Sequence, residues 1–163
     1  MGTSRRQALR RRYLSLGLGE LAAAGVFLTI ALVIVMPSLD GNSRLAMWFA
    51  LVPLLLVLVQ AGIYWLLARS WVEHHPMPPS IRRTYRCFRV VNVAVLAGGL
   101  GGLITCLPNG LAPGFGFIVI WLFGVIEYVN YFAIRLAYPS RLWLSTVGQL
   151  RTPRLVQDLN SGS

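Results

Sequence analysis

Four long apolar runs decide what this chain of 163 residues can fold into. They cover residues 14–36, 45–67, 90–107 and 115–136. About 20 mostly apolar residues are enough for a helix to cross the hydrocarbon core of a bilayer. A backbone in lipid must also satisfy its own hydrogen bonds, which a helix does. The sequence therefore predicts an all-α protein, a four-helix transmembrane bundle. The composition agrees, because 12% of the residues are charged whereas soluble domains average about 25%.

Short segments rich in proline, glycine and polar residues separate these runs. PSLDGNS follows the first run and LPNGLAPG follows the third, and connections of this length predict antiparallel helical hairpins. After the fourth run, SRLWLSTVGQL has a loose helical period of apolar residues, which is typical of a short amphipathic helix at a membrane interface. The predicted organisation is a basic tail (1–13), one transmembrane domain (14–139), an interfacial helix (140–152) and a disordered tail (153–163).

The arginines predict how the chain is threaded. All fifteen basic residues are arginines, and only Arg44 lies on the side of the connections 37–44 and 108–114. The positive-inside rule then predicts a multi-pass protein of the bacterial inner (cytoplasmic) membrane with both termini in the cytoplasm. The net charge of +10 also favours contact with anionic lipids at the cytoplasmic face. A nucleic-acid partner is not indicated, since the arginines form neither a separate domain nor one continuous face.

Several kinds of chemistry lack the residues they need. Without a lysine, the chain has no P-loop lysine and no Schiff-base lysine. Cys87 and Cys106 would stand about 28 Å apart along one helix, too far for a disulfide. No cysteine and histidine spacing suggests a metal site, and no cofactor is predicted. The sequence favours a non-enzymatic protein over an enzyme.

Polar residues inside the apolar runs are the candidate functional groups. With the predicted threading, Glu20, Gln60, Asn92 and Glu127 all fall in the inner half of the bilayer, one on each helix. On the fourth helix, polar residues at helical spacing form a stripe. Its members are Glu127, Asn130, Tyr131, Arg135 and Tyr138. A charged residue at mid-helix costs about 2.5 to 3.5 kcal/mol on insertion scales, so this stripe is expected to face protein.

Two interpretations of Glu127 remain open at this level. Intramembrane ionisable residues are by default candidates for function, and a carboxylate without a cation could carry a proton. Alternatively, Glu127 is paired with Arg135 and the pair only fixes the packing. Arg135 lies two turns away and near the interface, from where its side chain could also extend outward.

A cluster of small residues in the third run predicts close helix packing. LAGGLGGL places Ala97 four residues before Gly101 and Gly98 four residues before Gly102. Such small-xxx-small pairs let a second helix approach the backbone in a membrane. The first run has a similar small face at Gly17, so contact between the first and third helices is expected.

The string EYVNYF in the fourth run resembles a segment of uncharacterised small bacterial multi-helix membrane proteins. The resemblance covers the fourth span and the tail after it, and it implies no activity. A carboxylate in the first of four helices is also similar to the small multidrug resistance transporters. This chain is much longer, however, and the residues around Glu20 do not match their pattern.

Three functions follow from these features. The first is a non-enzymatic packing and interaction subunit that binds a second copy of itself or another membrane protein. The alternative is a proton-coupled transporter or channel for a small molecule, and the third is an enzyme acting on lipid at the inner interface. The glycine-rich faces and the missing catalytic groups favour the first.

Overall fold

The computed structural model describes residues 2–71, 77–107, 111–132 and 154–160, and within these ranges it contains helices and no strand. The long helices are α1 (Gly2–Ile30), α2 (Gly41–Trp71), α3 (Pro79–Thr105) and α4 (Leu111–Phe132). Each contains a stretch long and apolar enough to cross a membrane. The prediction of an all-α four-helix bundle is confirmed. The predicted interfacial helix 140–152, Arg135 and Tyr138 lie outside the described residues.

The helices extend beyond the apolar runs that predicted them. Helix α3 begins at Pro79, where a proline fits the first turn because its missing N–H would have no intrahelical acceptor. Arginine is a good helix former, so the basic segment before residue 90 continues as helix. After α1, the chain makes a π-helical turn (Ala31–Val35) and a 3-10 turn (Met36–Ser38). Pro37 lies in that 3-10 turn, which ends the first helical segment.

The connection between α1 and α2 is held by the residues around Asp40. The Ser43 amide donates to the Asp40 carboxylate over 2.8 Å, and the Arg44 Nε donates to the Met36 carbonyl over 3.2 Å. Hydrogen bonds from Ser43 hold the pKa of Asp40 below its ordinary value, with a smaller contribution from the Arg44 charge. Arg44, the one arginine predicted on this side, thus fastens the hairpin.

Helix α2 is the centre of the bundle, and the other three long helices pack against it. Within its most apolar stretch 61% of the residues are buried, against 11% to 22% for the other three helices. Helix α2 remains helical through Pro53, which is buried. The remaining apolar surface of the bundle includes many exposed valine, leucine, isoleucine and phenylalanine side chains, as expected where lipid is the solvent.

Glycines mark the points where the outer helices approach α2. A Cβ added at Gly17 of α1 would stand 3.0 Å from the Gly62 carbonyl oxygen, and one added at Gly62 would stand 3.1 Å from the Gly17 carbonyl oxygen. A Cβ at Gly124 of α4 would lie 3.3 Å from the Leu54 backbone. Contact was expected between the first and third helices, whereas in the structure each of them packs mainly on α2.

One end of the bundle carries most of the charge, and we call it the basic end. At this end α1 and α3 begin and α2 ends. The arginines at this end whose side chains the structure describes are Arg10, Arg11, Arg12, Arg69, Arg82, Arg83, Arg86 and Arg89.

A short helix, α5 (Arg154–Asn160), packs at the basic end. Leu155, Val156 and Leu159 are buried, and Leu155 and Leu159 join a core cluster that includes Tyr131 and Phe132. The prediction of a disordered tail over 153–163 is therefore wrong for α5. An isolated helix of 7 residues is unstable in water, so tertiary burial supplies the stability that local sequence could not indicate.

Candidate functional site

Gln60 of α2 and Asn92 of α3 form a buried pair of side-chain amides. Gln60 Nε2 donates to Asn92 Oδ1 over 3.2 Å, and Asn92 Nδ2 donates to Gln60 Oε1 over 2.6 Å. The Tyr85 hydroxyl donates to the Gln60 backbone carbonyl over 2.8 Å. Gln60 is 7% exposed and Asn92 is 1% exposed. Two of the predicted polar residues are therefore partners of each other, and this pair joins α2 to α3.

Glu20 of α1 and Tyr131 of α4 form the second polar contact. The buried Tyr131 hydroxyl donates a short hydrogen bond to Glu20 Oε1. Asn130 hydrogen-bonds the Glu127 carboxylate one turn away on the same helix, and Glu127 interacts electrostatically with Glu20. The structure thus brings together four of the predicted site residues between α1 and α4, and both carboxylates are half-buried.

The Glu20 and Glu127 carboxylates are close enough to interact electrostatically. Their hydrogen-bond donors in the described part of the chain are the Tyr131 hydroxyl and the Asn130 amide, both neutral. Like charges at short range repel, and the repulsion is stronger in a medium less polar than water. An arrangement of this kind can bind a proton between two acidic groups. Arg135, the predicted partner of Glu127 in one of the two interpretations, lies outside the described residues.

Aromatic side chains of α1 and α2 pack against each other between Glu20 and the basic end. Tyr13 of α1 packs on Trp65 of α2 with ring centroids 5.1 Å apart, and Trp65 packs on Tyr64 with centroids 5.2 Å apart. The Trp65 indole also interacts with the Tyr131 hydroxyl, the group that donates to Glu20. These rings join α1 to α2 beside the carboxylates.

The small residues of α3 are divided between two faces of the helix. Gly99 and Gly102 face α2: a Cβ at Gly99 would lie 2.6 Å from the Phe49 carbonyl oxygen, and one at Gly102 would lie 2.4 Å from the Phe49 ring. Gly98 and Gly101 are exposed, with no atom within 4 Å of an added Cβ, and Ala97 is also exposed. Of the four predicted packing residues, the structure places Gly102 alone at a contact within the chain.

Several important positions were not singled out from the sequence. Gly62, Gly99 and Gly124 make the close crossings with α2, and Tyr85 supports the amide pair. For Gly99 a signal was present, because Asn92, Leu96, Gly99 and Leu103 follow helical spacing and all four are buried. A polar residue such as Asn92 must find a partner inside the protein, so its position indicates the inward face.

No protein-family model, curated protein or solved structure matches this chain.

Proposed function

We propose that this integral membrane protein is a non-enzymatic packing subunit, and that the exposed small face of α3 binds a second copy of the chain. We call this surface the outer glycine face, formed by Ala97, Gly98 and Gly101. The supporting observation is that these residues are exposed and that an added Cβ at either glycine would meet no atom.

The energetic argument concerns glycine in the middle of a helix. Each such glycine is less favourable than alanine by about 1 kcal/mol. At Gly99 and Gly102 a close approach of Phe49 offsets this cost within the chain. At Gly98 and Gly101 no described residue supplies such a contact, whereas a second helix packed on a small-xxx-small face would do so.

Substituting both outer glycines tests this proposal. We expect Gly98→Ile combined with Gly101→Ile to abolish self-association while the monomer still folds, because the added side chains would enter lipid in the monomer. The measurement is crosslinking in native membranes together with the mass of the protein in mild detergent. Gly25→Ile is the matched control, since Gly25 is also exposed, with no atom near an added Cβ. Unchanged association of the double variant would contradict the proposal.

The proposal includes an orientation in which the basic end and both termini face the cytoplasm of a bacterial cell, as the positive-inside rule favours. Cys87 and Cys106 are free thiols near opposite ends of α3. In intact cells, a membrane-impermeant thiol reagent is expected to label Cys106 and spare Cys87. Labelling of Cys87 but not Cys106 would reverse the orientation.

A second candidate function is proton-coupled transport, and the electrostatic interaction between the Glu20 and Glu127 carboxylates favours it. A pair of acidic groups held in a membrane by neutral donors can exchange one proton with little change in structure. The substitution Glu127→Gln, which removes the charge, distinguishes proton-coupled transport from a purely structural role of the same residues.

A further inference from the structure

The arginines of this protein fall into two groups according to what their side chains do. Arg44, Arg82 and Arg86 donate to backbone carbonyls, those of Met36, Met77 and Leu159, over 3.0 to 3.2 Å. These arginines fasten the α1–α2 hairpin, the start of α3 and the end of α5. The guanidinium groups of these three arginines therefore already have hydrogen-bond acceptors within the chain.

The second group consists of Arg10, Arg11 and Arg12 on α1 and Arg83 and Arg89 on α3. All five are exposed, and within the described part of the chain their guanidinium groups form no hydrogen bond or ion pair. All five lie at the basic end. We call them the free arginines.

The free arginines lie at the level of the bundle where lipid headgroups are expected. Arg89 directly precedes the apolar run that begins at residue 90, and Arg12 lies two residues before the run that begins at residue 14. The half-buried aromatic residues Tyr13, Trp65 and Phe88 lie at the same level. Aromatic residues of this kind are enriched at the membrane–water interface.

Buried groups at the same end also have more donors than acceptors. Arg69 Nε and Trp71 Nε1 are buried without a hydrogen-bond acceptor among the described residues, and Trp71 is 5% exposed. Such groups are rare in proteins and usually have a partner outside the chain's own atoms. Because both of these atoms are buried, lipid phosphates at this end can reach the exposed free arginines and not these two donors.

We propose that the basic end binds the phosphate groups of anionic phospholipids through the free arginines. Guanidinium groups bind phosphate oxygens with two parallel hydrogen bonds. The free arginines lie on two helices, with α2 and its neighbours between them, instead of converging on one pocket. A single soluble phosphate would therefore meet one or two of them, whereas a bilayer leaflet presents many phosphates in one plane.

The selectivity of the protein for spin-labelled lipids tests this proposal. The full chain is reconstituted in phosphatidylcholine vesicles with a trace of spin-labelled phosphatidylglycerol or phosphatidylcholine, and the motionally restricted fraction of each is measured. We expect a preference for phosphatidylglycerol that decreases with salt. An arginine near the surface contributes about 1 kcal/mol, so Arg83→Gln or Arg89→Gln is expected to reduce the relative association constant at its site by about fivefold.

Arg44→Gln is the matched control, because it removes the same charge at the opposite end from an arginine already bound to a carbonyl. It should lower thermal stability and leave lipid selectivity unchanged. Arg89→Lys should retain most of the selectivity, since it keeps the charge. The proposal is overturned if wild type shows no preference for phosphatidylglycerol, or if Arg44→Gln reduces the preference as much as Arg89→Gln. It is also overturned if millimolar inorganic phosphate abolishes the preference at constant ionic strength.

Discussion

Gly99→Leu is expected to prevent the bundle from assembling. An added Cβ at Gly99 would stand 2.6 Å from the Phe49 carbonyl oxygen and 2.9 Å from Pro53 Cγ. The carbonyl belongs to the backbone of α2 and Pro53 is buried in that helix, so neither atom can move without displacing α2. Overpacking a core typically costs 1 to 3 kcal/mol. Because the obstacle here is backbone, we expect a loss of at least about 3 kcal/mol.

The neighbouring position supplies the control. Gly98 is exposed and a Cβ there meets nothing within 4 Å, so Gly98→Leu should leave the monomer folded. Alanine makes the comparison sharper: Gly98→Ala should stabilise the helix by up to about 1 kcal/mol, whereas Gly99→Ala should destabilise it with the same added methyl group. The measurement is thermal unfolding of the monomer in detergent. Equal effects at the two positions would contradict the packing of α3 on α2 described above.

These two glycines also show how far the sequence could predict the packing. LAGGLGGL contains small residues on more than one face of a helix, and spacing alone does not say which face turns inward. Ala97, Gly98, Gly101 and Gly102 were predicted as packing residues. Of these, Gly102 meets α2, and Gly99, which was not predicted, meets it as well. The inward direction is set by what α2 presents opposite, namely the Phe49 carbonyl and Pro53, and that is information about a helix distant in sequence.

The existence and number of the membrane helices were predictable because twenty apolar residues in a row have one common structural outcome. Helix ends were less predictable, since the first turns of α3 are polar and are stabilised by helix propensity and by contacts such as that of Arg82 with Met77. Helix α5 is the extreme case. Its three apolar residues are too few to predict a helix, and only burial in the cluster with Tyr131 explains it.

The sequence predicted which residues belong to the candidate site, but it did not predict which of them contact each other. Each polar residue in a span must be satisfied by another group in the protein, which is why Gln60, Asn92, Glu20 and Glu127 were identified. The sequence left two possibilities for Glu127, a pair with Arg135 and a carboxylate without a cation. In the structure Glu127 interacts with the Asn130 amide and the Glu20 carboxylate. The pairing depends on the rotation of α1 against α4, which hydrophobic periodicity defines only to within a broad face.

Tyr131→Phe is expected to lower the stability of the bundle clearly more than Tyr128→Phe does. Tyr131→Phe removes the hydroxyl that donates to Glu20 and leaves a half-buried carboxylate without its donor. Hydrogen bonds to charged groups contribute about 1.5 to 3 kcal/mol, and we expect a loss of about 2 kcal/mol. Tyr128→Phe is the matched control. Its hydroxyl donates to the neutral Arg89 carbonyl at an exposed position, so its loss should be about 1 kcal/mol or less.

Glu127→Gln keeps the shape and hydrogen-bonding capacity of the side chain and removes the charge that interacts with Glu20. If Glu127 is a proton-binding group, stability should hold or rise, and the change in melting temperature between pH 5 and 9 should become flatter than in wild type. If Glu127 is instead held by a cation such as Arg135, the substitution strands that cation and stability should fall by about 1 to 3 kcal/mol at every pH. The measurement is the melting temperature of each variant in detergent across this pH range. A clear fall at all pH values would exclude the proton-carrier function, because a group that works by taking up a proton must tolerate its own neutral form.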